Sequence, residues 1–149
     1  MQCGHECWDW IADAVNPGLV LLALAALGLS RAAKIYGRSP WAAVCAAGVA
    51  AVYTLRWLDS AFSIWSGWGG DYSSHTAFAV AIALGLAVLG PRWAMAVSGM
   101  LASYGVLMLY QGYHTWLDIL SSGVPIALVV GVAHRIATRR RHAASASQR

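Results

Sequence analysis

His114 and Asp118 stand four residues apart at the head of an apolar run, in LMLYQGYHTWLDIL from Leu107 to Leu120, and His75 opens another such run in SSHTA. A carboxylate that accepts a hydrogen bond from one imidazole nitrogen fixes the tautomer and makes the other nitrogen more basic and better aimed. That second nitrogen can attack phosphorus or act as a general base, and another histidine can protonate a leaving oxygen. Four residues make about one helical turn, so His114 and Asp118 share a face if the helix begins near Tyr113. An aspartate inside a membrane span costs about 2.5 to 3.5 kcal/mol on insertion scales, so Asp118 requires a partner or a wet cavity, and His114 is the nearest candidate. His75, at a helix start, has free backbone amides and the positive end of the dipole beside it, surroundings that suit a phosphate.

The elements that must position these groups are membrane helices. The chain has 149 residues, 59% of them hydrophobic and only 11% charged, and a mean hydropathy of +0.58, far from the balance of a soluble domain. The expected fold class is all-α, a polytopic membrane bundle of about five transmembrane helices. The spans read as Pro17 to Ala33, Trp41 to Leu58, His75 to Leu89, Trp93 to Tyr113 and Trp116 to Ile136, the third of them short. Ahead of them ECWDWIADAVN reads as an N-terminal interfacial helix, with Trp8, Trp10, Ile11 and Val15 loosely on one face. No basic residue precedes Arg31, so the first span lacks the positive head of a secretory signal and is expected to be retained. Residues 1–138 then form one membrane-embedded catalytic domain, and 139–149 a basic, disordered cytoplasmic tail.

Positive charge orients the bundle. Arg31, Lys34 and Arg38 fill the first connection, Arg92 the third, and Arg135, Arg139, Arg140 and Arg141 follow the last span. These places share one side, expected to be the cytoplasm, which puts the C-terminus inside and His75 and His114 on the extracytoplasmic face, as in a bacterial inner-membrane protein. Trp57, Trp65, Trp68, Tyr72, Tyr110, Tyr113 and Trp116 then form an outer aromatic belt, and Tyr36, Trp41 and Trp93 an inner one. The net charge of +4 sits in short flanks and a tail, which points to topology rather than to a nucleic-acid partner.

YSSHTA followed by LYQGYHTWLD resembles the second and third signature motifs of the type-2 phosphatidic acid phosphatase superfamily, integral membrane enzymes that hydrolyse or transfer phosphate groups on lipids. Ser73-Ser74-His75-Thr76 corresponds to the element that opens one helix, and His114-Thr115-Trp116-Leu117-Asp118 to the His-x-x-x-Asp element that opens another after an intervening span. GGDYSSHT and YHTWLD are nearest to the sphingomyelin synthase and inositol phosphoceramide synthase branch, which moves a phospho-head-group between lipids. The resemblance implies that His114 is the nucleophile that forms a phosphohistidine, Asp118 its orienting partner and His75 the acid for the leaving group. It also implies substrate contacts from Arg56, Ser73, Ser74, Thr76 and Tyr110, a lipid phosphate or phospholipid as substrate, and no cofactor or metal. The family's phosphate-binding Ser-Arg is replaced by Leu107 and Met108, its first motif is absent from YTLRWLDS, and Ser74 stands where glycine is usual. Arg56 is the remaining outer cation.

Several of these residues have a second reading. Arg56 can pair with Asp59 at the interface instead of clamping phosphate. Asp71 reads first as a cap for the helix that begins near Ser74. His75 and His114 at the outer ends of two helices can also ligate haem or a metal ion, with Asp118 behind His114, and the chain can be a non-catalytic membrane scaffold. MQCGHEC reads weakly as a metal cluster and allows a Cys3–Cys7 disulfide, while Cys45 reads as packing. The alanines and glycines of WAAVCAAGVAAVY read as close helix packing, with a homo-oligomer contact as the alternative. Pro125 is expected to kink the last helix, with Ser121 and Ser122 serving the freed backbone.

Overall fold

The computed structural model describes residues 3–29 and 37–146, with side chains from Trp10 onward apart from residues 144 and 145. The readings of Cys3, Cys7, Trp8, Arg31, Lys34 and Tyr36 as side chains therefore lie outside the described residues. Five helices follow in order: α1, Cys3–Leu29; α2, Arg38–Phe62; α3, Ser74–Ala87; α4, Pro91–Tyr110; and α5, Trp116–Ala146, with a 3-10 turn at Ser66–Trp68 between α2 and α3. No strand occurs among the described residues. The chain is an all-helical bundle in which α1 over Trp10–Leu29, α2, α4 and α5 over Trp116–Ala143 are each long and apolar enough to cross a membrane.

The remaining helix, α3, has 14 residues and so a length of about 21 Å, short of a hydrocarbon core of about 30 Å. It is the centre of the bundle, packing against α1, α2, α4 and α5, and Ala77, Ala79, Ala81 and Ala83 on it are completely enclosed. Small side chains let the neighbouring backbones approach closely. The same logic works on α2, where a Cβ on Gly48 would lie 2.9 Å from Val130 Cγ2 on α5 and 3.2 Å from Ala81 Cβ on α3. One turn away, Cys45 fills the space over Gly85, whose Cβ would lie 2.5 Å from the Cys45 sulfur. Trp41, at the start of α2, donates its indole N–H to the Gly85 carbonyl at 2.6 Å.

Gly85→Ala is therefore expected to destabilise the bundle by about 1 to 3 kcal/mol through overpacking. Cys45→Ala in the same chain should recover most of that loss, because the two sites share one contact. Thermal unfolding of the two single variants and the double variant in detergent checks this, and simple additivity would contradict it.

The helix ends are closed by local chemistry. Ser73 caps α3 by accepting from the Thr76 N–H, and Pro91 opens α4 after Gly90, which sits at φ 145°. Arg38 donates from Nε to the Leu27 carbonyl and from an Nη to the Gly28 carbonyl, both at 3.0 Å. One guanidinium thus satisfies two acceptors that the C-terminus of α1 leaves open.

Four expectations need correction. The segment before Pro17 is not a separate interfacial helix but the opening turns of α1, which runs through Pro17; before Asn16 no turn-forming pair interrupts it, and membrane helices tolerate an internal proline. Residues 139–146 continue α5 instead of forming a disordered tail, in keeping with the high helix propensity of arginine and alanine. Trp65 and Tyr72 are core residues and not belt residues, as is Trp41 at the other end. Ser121 and Ser122 also serve another purpose than the backbone freed by Pro125. The Ser121 hydroxyl accepts from the Trp65 indole N–H at 2.8 Å, and that of Ser122 accepts from the Ser73 N–H at 2.9 Å.

Candidate functional site

The loop between α2 and α3 is tied to the first turns of α5. In addition to the two serine contacts, the Asp71 backbone N–H donates to Asp118 Oδ1 at 2.8 Å. Within the loop, Trp65 and Tyr72 pack edge to face at 4.8 Å, and the Trp65 N–H donates to Asp59 Oδ1 at 2.8 Å. The Tyr72 hydroxyl donates to the Val52 carbonyl at 3.0 Å. Val52 precedes Phe62 by ten residues, about 15 Å along the axis, so the loop folds back along α2 and delivers α3 below the end of that helix. This placement brings the N-termini of α3 and α5 together.

Burial pushes the Tyr72 phenol up to about 12, with Arg56 opposing the shift and Asp59 adding to it. Its folded value lies above the ordinary value of 10.0, so the phenol contributes stability that is complete below pH 10 and is lost as the pH rises toward 12. The melting temperature is expected to fall across that window, and Tyr72→Phe should flatten the fall. An unchanged alkaline slope in the variant would contradict the assignment.

Asp118 is buried, and both of its oxygens are engaged. Besides the Asp71 amide on Oδ1, its Oδ2 accepts from the Thr115 N–H at 2.8 Å and the Thr115 hydroxyl at 2.7 Å. The Thr115 hydroxyl in turn accepts from the Asp118 N–H at 3.3 Å. Thr115 and Asp118 thus form a reciprocal capping box at the start of α5. The expected pairing of Asp118 with His114 is not formed. The helix begins at Trp116, leaving His114 on the preceding turn and out of register with a residue four positions on.

The carboxylate that faces His114 is that of Asp71, with Oδ2 3.5 Å from Nδ1. This is an ion-pair separation, and Nδ1 makes no hydrogen bond. His114 is 12% exposed, whereas the Asp71 side chain is 67% exposed. The capping role expected of Asp71 belongs to Ser73. Sequence reasoning passed over Asp71 as an orienting group because its approach to His114 depends on a backbone contact to Asp118, 47 residues away.

His75, exposed at the second position of α3, lines a cavity of about 360 Å³ together with His114. Ala12 and Asp13 of α1, Tyr104 and Met108 of α4, and Tyr113 complete its walls. Asp13 carried a signal that went unread, as an acidic residue early in an apolar helix. Tyr104 and Met108 carried none that separates them from ordinary core residues. On its other side His75 borders a second cavity, also about 360 Å³, shared with Asn16, Val20, Val52 and Phe78. Asn16 Nδ2 donates to the His75 carbonyl at 3.3 Å, linking α1 to this helix start.

The remaining candidates divide. Ser74 borders the second cavity. Ser73 and Thr76 are buried and bonded to each other, hydroxyl to hydroxyl, at 2.8 Å, so they build the helix start, and Thr76 also borders a separate cavity of about 340 Å³ between α3, α4 and α5. Arg56 and Tyr110 are exposed and line neither histidine cavity. Among the described residues no group of three or more His, Cys, Asp or Glu side chains is placed to hold a metal ion.

Chemically, the cavity offers two imidazoles, one with a carboxylate 3.5 Å from its Nδ1, beside two helix N-termini whose positive ends favour an anion. Comparisons with protein-family models, with curated proteins and with solved structures each find no match to this chain.

Proposed function

We propose that the chain is a membrane enzyme that hydrolyses or transfers a phosphate or phospho-head-group on a lipid, through a phosphohistidine. The observation that carries this reading is the shared cavity. It joins His75 and His114, from turns 39 residues apart, with Asp71 at the Nδ1 side of His114. The proposed mechanism uses the tautomer with the proton on Nδ1, facing Asp71 at 3.5 Å, which leaves the lone pair on Nε2.

In the first step that lone pair forms a bond to phosphorus, the bond from phosphorus to the leaving alcohol breaks, and the alcohol oxygen takes a proton from His75. In the second, water or a second lipid hydroxyl attacks phosphorus and gives its proton to His75, and the P–N bond breaks to restore His114. Asp118 acts here as a positioning residue: it holds the Asp71 backbone and the turn that carries His114.

The described acidic residues Asp13, Asp59, Asp71 and Asp118 belong to the histidine end, and Arg38, Arg140 and Arg141 to the other. Although Arg56 lies at the histidine end, the positive-inside rule applied to this distribution supports an extracytoplasmic histidine end.

Incubation with a panel of lipid phosphates and phosphodiesters, with and without acceptor lipids, followed by mass spectrometry of the products, tests the reading. Free phosphate marks a phosphatase, and a new head-grouped lipid marks a transferase. A folded protein that turns over no member of the panel would overturn it.

A further inference from the structure

We infer that an acyl chain of the lipid substrate lies in a groove between α4 and α5, entered sideways from the bilayer, with α3 as its back wall. This rests on the phosphoryl-transfer reading of the histidine cavity and adds where the rest of the substrate goes. α4 and α5 barely touch each other, although both pack along α3, and the gap between them is a cavity of about 340 Å³. Val80 and Leu84 line its back, Leu101 and Gly105 one flank, and Gly123 and Ala127 the other. Leu120 and Val124 also border it and are half exposed, so the groove opens to the surroundings of the bundle.

The groove is polar at one end only. Thr76 and Tyr104 border it there, and Tyr104 is also a wall of the cavity that holds His75 and His114. From Thr76 to Leu84 on α3, and from Ile119 to Ala127 on α5, its walls run eight residues away from the histidines, about 12 Å of helix. No charged side chain lines that path among the described residues. A molecule with its phosphate between the imidazoles therefore finds a place for hydrocarbon that starts at Tyr104. A helix of a second copy, about 10 to 12 Å across, could seat only side chains there. A lipid tail gains no hydrophobic energy by leaving the bilayer for an apolar groove. The phosphate bound at the histidines is then what holds the chain in place, and this separates a substrate chain from bilayer lipid resting on the surface.

The test is photo-crosslinking of the full chain in phosphatidylcholine nanodiscs, using a phosphatidic acid with a diazirine midway along one acyl chain and peptide mass spectrometry of the products. The wild-type protein should be labelled at residues 101–105 of α4 and 119–127 of α5 in excess of the exposed Leu128 and Val132 of α5. A diacylglycerol that carries the same chain but no phosphate should lose that excess. Gly105→Phe should lose it too, because a Cβ at Gly105 meets nothing within 4 Å and the new ring has the groove to enter. Its fold is checked by thermal unfolding, and Ala102→Phe on the same wall takes its place if that check fails. Labelling spread evenly over α5 would overturn the proposal, and a second copy seated in the groove would give that result by excluding the probe. So would groove labelling as strong from the diacylglycerol as from the phosphatidic acid, or labelling indifferent to the substitution. Crosslinking needs no turnover, so the two readings fail separately. A labelled groove in a protein that converts no lipid refutes the catalysis alone, and lipid turnover without groove labelling refutes the groove alone.

Discussion

Asp118→Ala is expected to destabilise the bundle by about 3 kcal/mol, the largest loss of any single polar substitution at the histidine end. Three donors converge on this carboxylate: the Asp71 N–H, the Thr115 N–H and the Thr115 hydroxyl. Loss of a helix cap alone costs about 1 kcal/mol, and each buried donor left without an acceptor costs about 1 to 3 kcal/mol. The sum is moderated because the Thr115 hydroxyl can rotate and water can reach the turn. Asp118→Asn keeps one carbonyl oxygen and should lose roughly half as much, since its amide would face donors with a donor. Thermal unfolding in detergent gives the ranking, and hydrogen exchange at the Asp71 and Thr115 amides locates the damage. An Asp118→Ala protein of wild-type stability would remove Asp118 from the structural role described above.

The large features of the fold were legible because membrane insertion writes them directly into composition. Long apolar stretches marked α2, α4 and α5, and the cluster of arginines at one end was plain from their positions. The Ala/Gly pattern around Cys45 and Gly48 announced close packing, which the contacts with Gly85, Ala81 and Val130 supply. Less legible was the role of each polar group, because hydrogen-bond partners are chosen by tertiary approach. The spacing of His114 and Asp118 suggested a pair, yet that inference required a helix beginning two or three residues earlier than Trp116. Once Thr115 is the cap, Asp118 is drawn into the capping box and the vacant place beside His114 passes to Asp71. Likewise Trp65 and Tyr72 have the types and positions of interfacial anchors, and only the fold-back of their loop along α2 takes them into the core.

His114→Ala is expected to reduce turnover of a lipid phosphate by about 10³-fold or more while leaving thermal stability near that of the wild type, as for removal of a nucleophile. Asp71→Asn should act much more weakly. Its carboxylate is two-thirds exposed, and an exposed ion pair contributes about 0 to 1 kcal/mol, equivalent to at most about fivefold in rate. The two histidines can be told apart by leaving group. A substrate whose alcohol departs without a proton, such as a nitrophenyl phosphate, should recover much of the activity lost in His75→Ala, because only the acid is missing. It should recover none in His114→Ala, because the atom that bonds phosphorus is gone. The wild-type protein mixed with such a substrate should carry an acid-labile, base-stable phosphoryl group, which His114→Ala should lack. Retained turnover in His114→Ala would refute the phosphohistidine mechanism whatever the other variants do.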